Sequence, residues 1–209
     1  LFTVLNAAGV QRPVLLGWSM GVQVALEAWR LAPDRVEALV LVAGVAGRLL
    51  GGVRVAPGAH IAAPAFSRWM QRHGGPVSAF AAATIRSAPL RAIARRLDLV
   101  GRNADITLEH AATLLRADSA RYWSLALSLH SHDASSLLSE IDVPTLILHG
   151  DRDVLIPLAA ARSMHATIAG AELRVLGDCT HAVVLEHPVQ VASEVRGFLE
   201  RRLAPPPLP

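Results

Sequence analysis

Two rhythms of apolar and polar positions run along this chain. Short unbroken apolar runs bounded by proline or glycine read as buried strands. They are "PVLLG" (Pro13 to Gly17), "VEALVLVA" (Val36 to Ala43), "PTLILH" (Pro144 to His149) and "AELRVLG" (Ala171 to Gly177). Longer stretches repeat apolar residues at helical spacing. Met20 to Ala32 is one, with Val24, Trp29 and Leu31 expected near one face and "PDR" (Pro33 to Arg35) ending it. Pro157 to Gly170 opens on proline and ends on glycine, as helices do. His187 to Leu203 reads as a closing helix, and Leu1 to Val10 as part of another. Strands separated by helices imply parallel βαβ units.

That rhythm breaks between Gly44 and about Asp142. No strand reads there, and Pro64 to His73, Val77 to Ser87, Ile106 to Ala117 and Ala120 to Ser131 read as short helices. The expectation is an α/β fold: a mostly parallel sheet flanked by helices, with a helical cap inserted over it. Residues 1–46 and 135–203 would form the core, 47–134 the cap, and 204–209, "APPPLP", a disordered tail.

Composition narrows the classes. Apolar residues make up 52% of the chain and charged residues 18%, which is globular rather than disordered. The net charge of +3 is small and the arginines are scattered, which argues against a nucleic-acid partner. The longest apolar run, "ALVLVAGVAG" (Ala38 to Gly47), is too short to span a bilayer, and no signal peptide is visible. The single Cys179 excludes an internal disulfide and fits a reducing compartment, so the cytoplasm is the expected location.

Candidate chemistry begins at "GWSMG", Gly17 to Gly21. A nucleophile must stand clear of the backbone, and a sharp turn between strand and helix achieves this at about 1–3 kcal/mol of strain. Such a turn crowds the chain two residues before and after, where glycine removes the Cβ; Gly17 and Gly21 are expected to meet that need. The pattern alone is weak, and the strand before and helix after give it meaning. A serine hydroxyl needs a base, and the base a group that orients it. "LILHGDRDVLIP" (Leu146 to Pro157) and "LRVLGDCTHAVVLEHP" (Leu173 to Pro188) each leave a strand end carrying such groups, in the order serine, acid, histidine.

Here the sequence resembles the α/β-hydrolase superfamily with a helical cap. "RPVLLGWSMG", "PDRVEALVLVAG", "VPTLILHGDRDVLIP" and "GDCTHAVVLEHPVQV" carry the likeness. The resemblance implies Ser19 as nucleophile, Asp153 as acid, His181 as base, and the Met20 N–H as an oxyanion-hole donor. It makes Asp151 a turn former. Asp178 and Glu186 are the other groups that could orient His181. The implied enzyme is a cofactor-free serine hydrolase of small or medium apolar esters. Acyl transfer, cofactor-free haloperoxidase chemistry and a non-catalytic relative of the fold are the rival readings. The expected partner is a small ester-like molecule.

Other residues are open to two readings. Trp18 lines an acyl pocket or packs; Phe66, Trp69 and Trp123 line a pocket beneath the cap or belong to its core. His149 reads as a core histidine, His187 as a poor base, Cys179 as structural and Arg91 to Arg96 as an exposed helix face. "HSHD" (His130 to Asp133) reads as a solvated helix end, so no metal is expected. The family's sheet resembles eight strands, of which four read here. Its second oxyanion donor sits in a loop after the third strand that has no counterpart in this sequence. The expectation is therefore the C-terminal two-thirds of a longer hydrolase, poorly stable and weakly active in isolation.

Overall fold

The computed structural model describes residues 1–47, 59–85, 87–116 and 119–203. The expected tail, 204–209, and the expected start of the cap, 48–58, lie outside them. The chain runs α1 (Phe2–Ala7), β1 (Val14–Trp18), α2 (Met20–Leu31), β2 (Ala38–Val42), α3 (Ala59–Thr84), α4 (Ala88–Arg96), α5 (Ala104–Arg116) and α6 (Ser119–Ser131). It continues through β3 (Thr145–Gly150), α7 (Leu158–Thr167), β4 (Glu172–Leu176), α8 (Val183–Glu186) and α9 (Pro188–Leu203). The four strands pair in parallel in the order β1-β2-β3-β4. Each expected strand is present, shifted by one or two residues at its ends.

Both faces of the sheet are covered, which explains the unbroken apolar runs of β2 and β3. Leu39, Leu41 and Ile147 pack against Leu26 and Trp29 of α2 and Met164 of α7. Val40, Val42, Leu146 and Leu148 pack on the other face against Val183 of α8 and Val191 and Phe198 of α9. β2 and β3 are buried at every position. β1 is not: it pairs only with β2 among the described residues, and Leu16 is 52% exposed.

Two expectations need correction. The buried face of α2 includes Val22, Ala25, Leu26 and Trp29, at positions i, i+3, i+4 and i+7, which follows the helix period. Val24 and Leu31 point away and are 54% and 63% exposed. They line an apolar groove with Phe2, Met20 and Leu125 instead. The second correction concerns Pro64 to His73 and Val77 to Ser87. These are one helix, α3, which runs straight through Gly74, Gly75 and Pro76. Proline there removes one backbone bond and glycine weakens the helix, but packing along α5 and α6 outweighs both. Between β2 and β3 the described residues hold helices α3 to α6, a 3-10 turn at Ser135–Glu140 and no strand.

Candidate active site

Ser19 sits at the turn from β1 into α2 with φ 54° and ψ −114°, a conformation an L-residue adopts only under constraint. Two backbone bonds hold it there: its N–H donates to the Val42 carbonyl at 2.9 Å, and its carbonyl accepts from Val22 N–H at 3.1 Å. A Cβ on Gly17 would overlap the Gly21 carbonyl and sit 2.7 Å from the Val22 nitrogen. Gly17 is thus required by close approach. Gly21 is not: a Cβ there meets nothing within 4 Å among the described residues. The crowding is one-sided, because the strand-side residue points its Cα at the first turn of the helix while the helix residue faces away.

The other two groups arrive from β3 and β4. Asp153 follows β3, and His181 follows β4, so both lie at the carboxyl end of the sheet beside Ser19. His181 Nε2 lies 2.8 Å from Ser19 Oγ, and His181 Nδ1 lies 2.8 Å from Asp153 Oδ2. A carboxylate only accepts, so Nδ1 carries the proton and Nε2 is free to accept from the serine hydroxyl. The Asp153 carboxylate is buried, and its Oδ1 accepts from the N–H groups of Leu155 at 2.9 Å and Ile156 at 2.8 Å. Met20 opens α2, so its N–H has no acceptor four residues back and faces the end where the helix dipole is positive.

Neighbouring loops brace this arrangement. Gly150 lets the β3 and β4 loops touch, since a Cβ there would lie 2.6 Å from the Thr180 carbonyl. Asp151 accepts from Cys179 N–H at 3.0 Å, so it ties the Asp153 loop to the His181 loop rather than only shaping its own turn. Neither alternative acid orients His181. Asp178 is exposed and pairs with Arg152 at 2.7 Å and Arg102 at 3.1 Å. The Arg152 guanidinium, with Arg102 beside it, holds the Asp178 carboxyl below its usual range. Glu186 is buried and accepts from Thr180 N–H at 2.8 Å, the Thr180 hydroxyl at 2.6 Å and Gly101 N–H at 2.6 Å. That carboxylate joins the segment before α5 to the residue preceding His181. Asn103 adds a second link by donating to the Leu185 carbonyl at 2.7 Å.

Trp18 has two roles: its indole N–H donates to the His181 carbonyl at 3.0 Å, and its ring lines a cleft of about 410 Å³. That cleft reaches His181, Leu155 and Ala182 on one side and Ile93, Val100 and Leu108 on the other. Phe66, Trp69 and Trp123 lie outside its lining: Phe66 stacks on Trp69 with ring centroids 6.5 Å apart and meets Trp123 edge-to-face at 5.5 Å. His149 is fully buried on β3, and its Nε2–H donates to the Ile156 carbonyl at 3.0 Å. His187 lies against the Asp178 carbonyl at 3.3 Å. Cys179 is buried, and burial with nearby Glu186 pushes its thiol up to about 12, which makes it unreactive. The His130 side chain lies outside the described residues, which hold no group of side chains suited to a metal ion. Nor does any helix among them have the length and apolarity to cross a membrane.

Thr107 and His110, which no motif singles out, also line the cleft. His110 stacks on Trp18 with centroids 5.3 Å apart. They share a helix face three residues apart, but which face looks at the sheet depends on how the inserted helices pack.

Comparison with known proteins agrees with the fold. The family described as the alpha/beta hydrolase fold matches residues 1–188. A pimeloyl-[acyl-carrier protein] methyl ester esterase of Neisseria meningitidis serogroup B is 32% identical over 200 residues, which cover 93% of this chain and 72% of that protein. A 2-hydroxymuconate semialdehyde hydrolase of Pseudomonas putida is 27% identical over 210 residues, covering 94% and 65%. Among solved structures, a thermophilic esterase from Thermogutta terrifontis superposes with a TM-score of 0.69 at 23% identity, over 95% of this chain and 68% of that one. The chain belongs to the α/β-hydrolase fold family, whose relatives named here are esterases and hydrolases.

Proposed function

We propose that the protein hydrolyses small or medium apolar carboxylic esters through an acyl-enzyme on Ser19. The observation that carries this reading is the continuous line of two 2.8 Å contacts from Ser19 Oγ through His181 to Asp153. Ser19 attacks the acyl carbonyl as its proton passes to His181 Nε2. Asp153 holds Nδ1–H and stabilises the imidazolium that forms. The carbonyl oxygen becomes an alkoxide, which the Met20 N–H stabilises at the start of α2. The tetrahedral species collapses, the alcohol leaves with the proton from Nε2, and water repeats the sequence to release the acid.

The apolar cleft beside His181 supports an apolar substrate, and the esterase activity named for the relatives supports an ester. Residues 47–134 are read as a cap over that cleft. No cofactor enters the scheme. The test combines hydrolysis of p-nitrophenyl butyrate with labelling by a fluorophosphonate probe. Ser19→Ala is expected to abolish labelling and lower kcat by at least about 10⁴-fold. Labelling that persists in Ser19→Ala would exclude this residue as the nucleophile.

A further inference from the structure

The cleft that reaches His181 is walled mainly by apolar side chains, and α5 interrupts that wall. Thr107 and His110 stand three residues apart on α5, on one helix face, and both line the cleft. The Thr107 hydroxyl is buried and has no hydrogen-bond partner among the described residues. Ser78 of α3 shares this state, but four other helical hydroxyls behave differently. Those of Thr84, Thr113, Ser128 and Thr167 each donate to the carbonyl four residues back, at 2.9–3.1 Å. At Thr107 the corresponding carbonyl, of Asn103, accepts from the Thr107 backbone N–H at 3.0 Å and not from its hydroxyl. A buried hydroxyl without a partner is unfavourable and calls for one. His110 places an imidazole on the same wall and stacks on Trp18, which itself holds the His181 carbonyl. The polar break is therefore tied to the Ser19 site through a single indole.

We infer that Thr107 and His110 form a subsite for a hydrogen-bond-accepting oxygen, a carbonyl or carboxylate, on the substrate chain away from the ester bond. The Thr107 O–H and a His110 ring N–H donate to it, while the apolar wall takes the methylenes between. This inference rests on Ser19 being the nucleophile. It predicts that an ester whose acyl chain ends in an oxygen function is preferred over an alkyl chain of equal length.

The test uses three p-nitrophenyl esters of equal chain length, ending in methyl, in a methyl ketone and in carboxylate. The wild type is expected to show about tenfold higher kcat/KM on an oxygenated chain than on the methyl-ended one. Thr107→Val keeps the shape, removes the hydroxyl and should bring that ratio near one; Thr107→Ser should restore it. His110→Phe keeps the stack on Trp18 and should also reduce the ratio. A preference for ketone and carboxylate alike identifies a neutral contact, and a preference for carboxylate alone an ionic one. A ratio of one in the wild type, or a ratio insensitive to both Thr107→Val and His110→Phe, would overturn the subsite. Calorimetry on Ser19→Ala separates the two readings. The ketone-ended free acid should bind about tenfold more tightly than its alkyl counterpart, and adding Thr107→Val should remove the difference. That contrast with no ester turnover in the wild type would sink the Ser19 reading and sustain the subsite. Equal binding of the two acids would sink the subsite whatever the esters do.

Discussion

His149 carries a burden that its position alone conceals. It lies within β3, fully buried, and 3.9 Å from the Asp153 carboxylate that serves His181. Its Nε2–H is committed to the Ile156 carbonyl, on the same turn whose N–H groups bind Asp153. Burial pushes the imidazole below its ordinary 6.5, while Asp153 and the Ile156 carbonyl pull the other way. The folded protein therefore resists a proton that the unfolded chain accepts as pH falls through about 6.5. Stability is full above that pH and is lost as the solution becomes more acid. The melting temperature should fall on acidification below this point, and His149→Gln should flatten that slope; an unchanged slope would remove His149 as its source. The sequence showed a histidine at a strand end and rightly suggested the core. It could not show the link to Asp153, because the turn from Gly150 to Ile156 folds back on the strand. Ser19 was legible for the opposite reason. Its strain is local, and Gly17 records it in the sequence, whereas Gly21 answers no contact in the described structure.

At the level of elements, β2 and the middle of β3 were readable because burial on both faces leaves them no charged positions. The helices were readable in place but not in orientation or extent. Val24 and Leu31 look like core residues of α2 until the sheet is in place, and Val22 and Leu26 then occupy the core instead. The Gly74-Gly75-Pro76 break looked like a helix boundary because local propensity says so, yet α3 continues. Long-range packing decided both cases, and a local pattern carries no record of it. The link between α5 and the His181 loop is also long-range, and it makes a testable claim. Glu186→Ala would leave the N–H groups of Gly101 and Thr180 and the Thr180 hydroxyl without their acceptor. A loss of about 2–4 kcal/mol is expected from urea unfolding. Glu186→Gln, which keeps one accepting oxygen, should recover part of it. Equal stability of wild type and Glu186→Ala would mean that water replaces the carboxylate at no loss.

At the scale of the described molecule, the sheet brings Ser19, Asp153 and His181 to its carboxyl end and leaves β1 as an edge strand among the described residues. β1 offers an unpaired row of backbone groups among the described residues, with Leu16 exposed beside it. Such an edge is a template for pairing with another strand. The 209-residue chain should therefore self-associate as its concentration rises, and Leu16→Lys should suppress this in sedimentation velocity runs. Concentration-independent monomer in the unaltered chain would show that the edge is harmless. The carboxyl end has a different property. Gly101 and Thr180 share the Glu186 carboxylate, and Asp98 and Arg102 reach Arg152 and Asp178 around it. The segment joining α4 to α5 and the loop bearing the imidazole are thus harnessed together. If Ser19, His181 and Asp153 act as proposed, a guest that displaces α4 and α5 would also drag His181 off line, and misfit would be felt in the speed of proton transfer and not only in how tightly the guest is held.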